Sequence, residues 1–432
     1  MRVLKRLKSG PTQKTISQLS MLNKTSNQFI SADELLEQFH CSRKYSTDLI
    51  LNLSSEDCQA QSMEDASPAK WHLAHVTWFY ELMVLKPFEE NFAYWNPEFA
   101  VLFNSYYNGI GDKHPRSKRG LLTRPSLPEV LEWRKNIEDR VTKLLKEKFS
   151  ADLLCLIQLG INHEQQHQEL LLTDIHHLFS SNSLFPAYHS QSNHKFQAEQ
   201  SFQWIEGVSG LIEAGYEGEG FHFDNEGPKH TALNQIHSMG NRLVSNSEWL
   251  QFINDGGYQN FQWWLDAGWA WLQTEKIATP LYWNKVDQNQ LLCFSLNGNL
   301  PLDIHAPVSN ISYFEADAFA RWASQKLTGF AGARLPTEFE WEAFAKLNSK
   351  SSIDLFGKVW QWTGSNYNSY PGYQPWGGIA GEYNGKFMVN QMVLRGSSAY
   401  TPAGHSRITY RNFFPTHARW QMTGLRLAKD GI

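Results

Sequence analysis

The chain has few cysteines. Cys41, Cys58, Cys155 and Cys293 are the only ones in 432 residues, and they form neither a CxxC pair nor a metal-ligand spacing. That excludes a disulfide-built scaffold and fits a reduced, cytoplasmic protein. Long apolar runs are missing as well. None approaches the ~20 residues that a membrane span needs, so no membrane partner is expected. There is no excess of positive charge: the formal net charge is -4, which argues against a nucleic-acid partner. Acidic residues are absent from positions 1–30, which carry Arg2, Lys5, Arg6, Lys8, Lys14 and Lys24. This stretch reads as a basic, disordered tail, and a mitochondrial-type transit peptide has the same composition. No apolar run follows the basic residues, which argues against a secretory signal. What the chain has in abundance is aromatic side chains, 17 Trp, 16 Tyr and 26 Phe, which suit irregular packing around loops. Its length suits two domains.

The first half is helical by pattern. Ser31-Ala32-Asp33-Glu34 opens a helix running to about Leu51. Ser67-Pro68 opens a second, with Ser67 as N-cap, Pro68 at the first helical position and Pro87 as its stop. Leu127-Pro128-Glu129 starts a third, to about Phe149, and a fourth runs from about Ala151 to Phe179. Four such helices read as an up-down bundle, whose core is where facing helices supply metal ligands. The loop from Phe92 to Ser126 is long, and loops of that length usually carry function.

The fourth helix holds His163 and His167, i and i+4 on one face, roughly 5–6 Å apart at Cβ. The pair suits a divalent metal, and equally two partly buried polar residues on an amphipathic helix. On the second helix Trp71, His75, Trp78, Phe79 and Leu82 share one face, so His75 points inward as a third candidate ligand. His72 falls outside that stripe and is placed nearer solvent. Three histidines suit a catalytic Zn site with open positions as well as Fe(II).

Residues 181–200 read as a Ser-, Asn- and Gln-rich linker. From about residue 201 the helical period mostly vanishes and Gly, Trp and Asn dominate. Short helices are expected at Ser245 to about Ile253, at Ser312 to about Lys326, and after Thr337, which caps with Glu340. The rest reads as α+β with small strands.

Three stretches resemble a known family: Ser67-Pro68-x-x-Trp71-His72-Leu73-x-His75-x-Thr77-Trp78-Phe79-x-Glu81, Asn104-Ser105-Tyr106-Tyr107-Asn108, and His163-Glu164-Gln165-Gln166-His167-x-Glu169-Leu170. They are similar to the N-terminal DinB-like four-helix bundle of the ergothioneine-biosynthesis sulfoxide synthases. The second half, 201–432, resembles the C-type-lectin-like domain of formylglycine-generating enzymes. It does so through Arg334-Leu335-Pro336-Thr337-Glu338-x-Glu340-Trp341-Glu342, Phe356-Gly357-x-Val359-Trp360-x-Trp362-Thr363, Leu394-Arg395-Gly396-Ser397 and Gly424-Leu425-Arg426. The match runs in order from about residue 31, with the bundle over 31–180.

The resemblance implies non-haem Fe(II) held by His75, His163 and His167, and oxidative C–S bond formation between hercynine and a thiol, using O2 and giving a sulfoxide. It implies Tyr106 and Tyr107 as the phenols near the iron. Hercynine would be held by Gln166, Tyr383 and Asn412, with Phe413 facing its quaternary ammonium. Arg116 and Arg119 match an Arg-x-x-Arg pair that binds the thiol's carboxylates in one branch of the family. That branch also uses an Asp two residues after the Asn. Here Phe414 stands there, which favours cysteine over γ-glutamylcysteine. The resemblance sets no oligomeric state. Close alternatives are a selenoneine synthase using a selenosugar and a Zn-dependent DinB-type thiol S-transferase; a silent lectin-like binding protein is disfavoured by the intact histidines. An ovothiol-type synthase would normally add a methyltransferase domain. A formylglycine-generating enzyme would need copper-binding cysteines after Cys293, and none follows.

Overall fold

A computed structural model of the chain describes residues 31–148, 150–189, 197, 198, 200–285, 290–348 and 354–431. The basic segment 1–30 and part of the expected linker lie outside the described residues. The chain forms two compact units. The first runs through Ile175 and includes Glu217–Asp224 and Tyr373–Lys386; the second comprises His176–Tyr216, Asn225–Gly372 and the chain from Phe387 onward.

The first unit is built on four long helices: α1 (Ala32–Asp48), α2 (Ala69–Phe79), α3 (Leu127–Glu147) and α4 (Ala151–Ser180), the last crossing into the second unit. Capping boxes start α1 and α3. Ser31 Oγ accepts from the Glu34 N–H at 3.2 Å while the Glu34 carboxylate accepts from the Ser31 N–H at 3.1 Å, and Ser126 and Glu129 repeat the arrangement. The start of α2 differs from the expectation. Pro68 occupies the cap position without a side-chain cap, and Ser67 is used elsewhere. Its N–H donates to Asp174 at 2.8 Å and its Oγ accepts from Arg119 at 2.8 Å. Pro87 does not stop the helix either. The backbone widens into a π-helical stretch over Tyr80–Leu85 and closes with one more turn, Lys86–Phe88. Proline offers no N–H and crowds the carbonyl four residues back, and the wider spacing absorbs both defects. The long loop after α2 contains a helical turn, Phe99–Leu102, and a 3-10 stretch, Arg116–Leu121.

α4 is buried on every side over residues 159–164. It passes so close to α2 that a Cβ on Gly160 would sit 2.6 Å from the Tyr80 ring. Buried Glu164 accepts from Arg43 of α1 at 3.2 Å, from Ser46 of α1 at 2.6 Å, and from Arg134 of α3. Burial opposes its charge, but the Arg134 and Arg43 guanidiniums outweigh that and hold the carboxyl down at about 2. The network fixes the turn of α4 that carries His163.

The second unit has short strands, as its turn-rich sequence predicts. One antiparallel sheet runs in the order Trp204–Glu206, His237–Gly240, Ala428–Asp430, Ala333–Arg334. Another runs Asn412–Pro415, Gln391–Gly396, Trp360–Asn366, Thr423–Gly424, its last pair parallel. Helices at Asn246–Asn254, Tyr313–Lys326 and Glu338–Asn348 fall where the sequence predicted them; Asp266–Glu275 is a further helix. The motif residues form the frame. Arg395 and Arg411 both donate to buried Glu338 at 2.8–2.9 Å, and Arg334 forks onto Glu340 with two bonds of 2.8 Å. Gly396 has φ +93°, and a Cβ there would meet the Leu355 carbonyl at 2.5 Å, so the position requires glycine.

Candidate metal centre

α2 and α4 bring His75, His163 and His167 together, with one donor atom from each lying within 4.8 Å of the others. The ring centroids are 4.7–4.9 Å apart. His75 lies between Trp71 and Trp78, one turn before and one turn after it, their rings near parallel to its own at 4.7 and 5.3 Å. Its Nδ1–H donates to the Phe103 carbonyl at 2.7 Å; a carbonyl only accepts, so Nε2 is the bare nitrogen. That Nε2 and both nitrogens of His163 are buried and have no hydrogen-bond partner among the described residues. Buried polar atoms are rarely left so, and the three donors fit a bound metal ion. Burial pushes the His163 imidazole down to about 3 and drives His75 and His167 well below the usual histidine range, with the neighbouring histidines adding to the effect on those two. All three are neutral at physiological pH, which is the metal-binding form.

His72 is buried, not near solvent as its place on the helical wheel suggested. α4 packs over that edge of α2 and supplies two polar partners: His72 Nδ1 lies 2.8 Å from His167 Nδ1, and His72 Nε2 lies 2.9 Å from the Asp174 carboxylate. Asp174 was missed in the sequence. The signal was present, since it follows His167 by seven residues and shares its face of the helix.

The stretch 38–171 matches the DinB superfamily, and 193–352 matches the sulfatase-modifying factor enzyme 1-like domain. The chain is 27% identical over 416 residues to the hercynine oxygenase of Mycolicibacterium thermoresistibile, covering 84% of this chain and 87% of that protein. It is 26% identical over 413 residues to the hercynine oxygenase of Mycobacterium tuberculosis, covering 84% and 91%. It is also 27% identical over 241 residues to the ergothioneine biosynthesis protein 1 of Schizosaccharomyces pombe, covering 49% of this chain and 28% of that one. These matches support the ergothioneine-biosynthesis sulfoxide synthase (EgtB-like) family. The expected order, a DinB helical bundle and then a mixed, strand-rich domain, is present.

Other residues singled out in this EgtB-like sequence fall in both units. Gln166 follows the ligand face of α4, and the Tyr383 phenol donates to its Oε1; Tyr383 lies edge-on to His163 with centroids 5.7 Å apart. Tyr106 and Tyr107 stack at 4.6 Å, Tyr107 packs 5.5 Å from Trp78, and Tyr106 lies 6.5 Å from Tyr383. Asn104 shapes their turn: its Oδ1 accepts from the Tyr107 N–H at 3.0 Å and its Nδ2 donates to the Tyr107 carbonyl at 2.9 Å. Burial pushes both phenols up, so each keeps its proton. The segment Tyr373–Lys386, from the far end of the chain, is pinned to this turn, because Glu382 accepts from the Asn108 and Gly109 N–H groups at 2.9 and 2.8 Å. Phe223, from the other returning segment, stacks on Tyr383 at 5.4 Å. Arg119 is buried with its guanidinium 3.4 Å over Trp71; burial, with Arg116 second, pulls it down to about 9. Arg116 is exposed and donates to the Asp65 carbonyl. Asn412 and Phe413 belong to the second unit, where Phe413 stacks on Tyr367 at 4.0 Å. Among the described residues no helix is long and apolar enough to cross a membrane.

Proposed function

We propose that this protein is an O2-dependent sulfoxide synthase that joins hercynine to a thiol. The observation that carries the reading is the three neutral imidazoles of His75, His163 and His167, the first two buried and the third half-buried, beside the Gln166–Tyr383 pair and the Tyr106–Tyr107 phenols. The similarity to hercynine oxygenases supports the substrate. The reaction balances as one C–H and one S–H broken, one C–S and one S–O bond formed, and O2 reduced to the sulfoxide oxygen and water. Fe(II) at the three histidines would supply the redox chemistry for O2 and the positive charge that keeps the sulfur a thiolate.

The chain's own residues do the rest. Gln166 and Tyr383 hold and orient the hercynine imidazole. The phenols of Tyr106 and Tyr107, protonated at neutral pH, supply a proton or hydrogen atom to reduced oxygen. The family resemblance assigns hercynine recognition to Asn412 and Phe413 as well, the ring suiting a quaternary ammonium. Arg116 and Arg119 serve the thiol's carboxylate. Phe414, in place of an acid, favours cysteine as the donor. The protein acts in the cytoplasm.

Anaerobic loading with Fe(II) and hercynine, followed by O2 with cysteine, γ-glutamylcysteine or a selenosugar in parallel, tests the reading. The expected product has the mass of hercynine plus cysteine plus one oxygen, less two hydrogens. A protein that retains zinc and consumes no O2 with any donor overturns the synthase reading and leaves the Zn-dependent DinB-type thiol S-transferase as the alternative.

A further inference from the structure

Of the histidines beside the candidate metal centre, one does not belong to the ligand set. His72 is buried, sits three residues before His75 at the edge of its face of α2, and lies against His167. Its two nitrogens are both engaged, Nδ1 with His167 Nδ1 at 2.8 Å and Nε2 with Asp174 at 2.9 Å. The Asp174 carboxylate is anchored in turn by the Ser67 N–H at 2.8 Å, at the first turn of α2. Backbone, carboxylate and two imidazoles therefore form one chain of hydrogen bonds that ends on a metal-ligand candidate.

We propose that His72 and Asp174 are positioning residues: they lock His167 in its Nδ1–H tautomer and aim its bare Nε2 at the metal. The direction of the bonds follows from donor counts. A carboxylate only accepts, so His72 Nε2 carries the proton. Of the two facing Nδ1 atoms one donates; a His167 that offers its Nε2 lone pair to a metal carries its proton on Nδ1, so His72 Nδ1 is the acceptor. His75 reaches the same state by a different route, its Nδ1–H given to the Phe103 carbonyl. Two of the three donors are thus set before any metal arrives. Such outer partners fix ring orientation and raise ligand basicity, and their loss typically costs 10–100-fold in metal affinity. The Asp174 charge reaches His167 through His72, so His72→Leu severs both the acceptor and the charge. His72→Asn keeps an acceptor near the Nδ1 position and severs only the charge.

The inference rests on the reading of His75, His163 and His167 as a metal site, and the test separates the two. Histidine 15N–1H correlation spectra of the metal-free full-length protein are recorded first, then Co(II) is titrated into wild type, His72→Leu, His72→Asn and Asp174→Asn, with circular dichroism to verify folding. Wild type is expected to show His167 as the Nδ1–H tautomer. His72→Leu is expected to show a tautomer mixture and about 10–100-fold weaker Co(II) binding, with His72→Asn recovering part of the loss. Asp174→Asn, which retains the Ser67 contact, is expected to weaken binding by a smaller factor and to shift the Co(II) absorption bands. An Nε2–H tautomer of His167 in wild type overturns the proposal, as does unchanged Co(II) affinity in a folded His72→Leu or, if that variant does not fold, in Asp174→Asn. Failure of wild type to bind Co(II) at all overturns the metal site itself.

Discussion

The phenol of Tyr383 donates to the Oε1 of Gln166 although 217 residues separate them. Gln166 sits one residue before His167 on α4, and Tyr383 stands edge-on to His163. The pair therefore fixes a carboxamide beside the candidate metal ligands. Tyr383→Phe is expected to leave the fold intact and raise the KM for hercynine about 10-fold, the order of one lost hydrogen bond at a buried acceptor. The KM for the thiol should stay within about twofold. Steady-state kinetics with each substrate varied in turn would check this. An equal rise for both substrates would place the pair outside hercynine recognition.

His163 contributes no hydrogen bond from either ring nitrogen among the described residues, so its polar atoms have no role in the metal-free fold. In His163→Ala, metal binding and turnover should vanish together. Thermal unfolding gives an independent reading. At a metal concentration 100 times Kd, wild type should gain about 2.7 kcal/mol over its metal-free form. The variant should gain nothing. A variant that is still stabilised by metal, or that keeps full activity, would remove α4 from the site.

Tyr106 and Tyr107 keep their protons because burial disfavours the phenolate. In the proposed role of proton or hydrogen-atom donors they would act after the substrates are bound. The Tyr106→Phe/Tyr107→Phe double variant should therefore lose about 10²–10⁴-fold in kcat, the usual range for a positioned acid. Metal affinity and both KM values should hold. The single variants then show which phenol acts. A double variant with wild-type kcat would leave the two rings as packing against Trp78.

Much of the first unit was legible because helix periodicity is a local signal. His163 and His167 announce themselves by spacing, and His75 by sharing a stripe with Trp71 and Trp78. Polar and proline starts placed α1 and α3, and the Thr337–Glu340 capping pair placed a helix of the second unit. What escaped was set by distant partners. His72 looked exposed on the wheel of α2 alone, yet α4 buries it and gives it Asp174. Ser67 looked like a cap, but Asp174 and Arg119 claim its polar atoms. The returning segments 217–224 and 373–386 have no period to read. They join the bundle through contacts such as Phe223 on Tyr383 and Glu382 on the Asn108–Gly109 backbone, which link positions more than a hundred residues apart.

The buried Glu338 ties Arg395 and Arg411 together in the second unit. Burial works against its charge, but the two guanidiniums prevail and hold its carboxyl below the usual range. A carboxyl depressed in the folded state stabilises the fold above its unfolded pKa, about 4.3 for Glu. That contribution drains away as pH falls through the lower, folded value. Glu338→Gln removes the charge at every pH and leaves two buried cations without it. At pH 7 the variant should be about 3–5 kcal/mol less stable than wild type, the cost of breaking a buried pair from one side. As pH falls below the unfolded value of about 4.3 and on through the lower folded one, wild type loses this contribution by protonation, so the gap between the two proteins should narrow steadily. Denaturant unfolding at a series of pH values measures it. A gap that stays constant down to the acid limit would mean that the loss in the variant does not come from the Glu338 charge, Arg395 being held also by Glu342 at 2.9 Å.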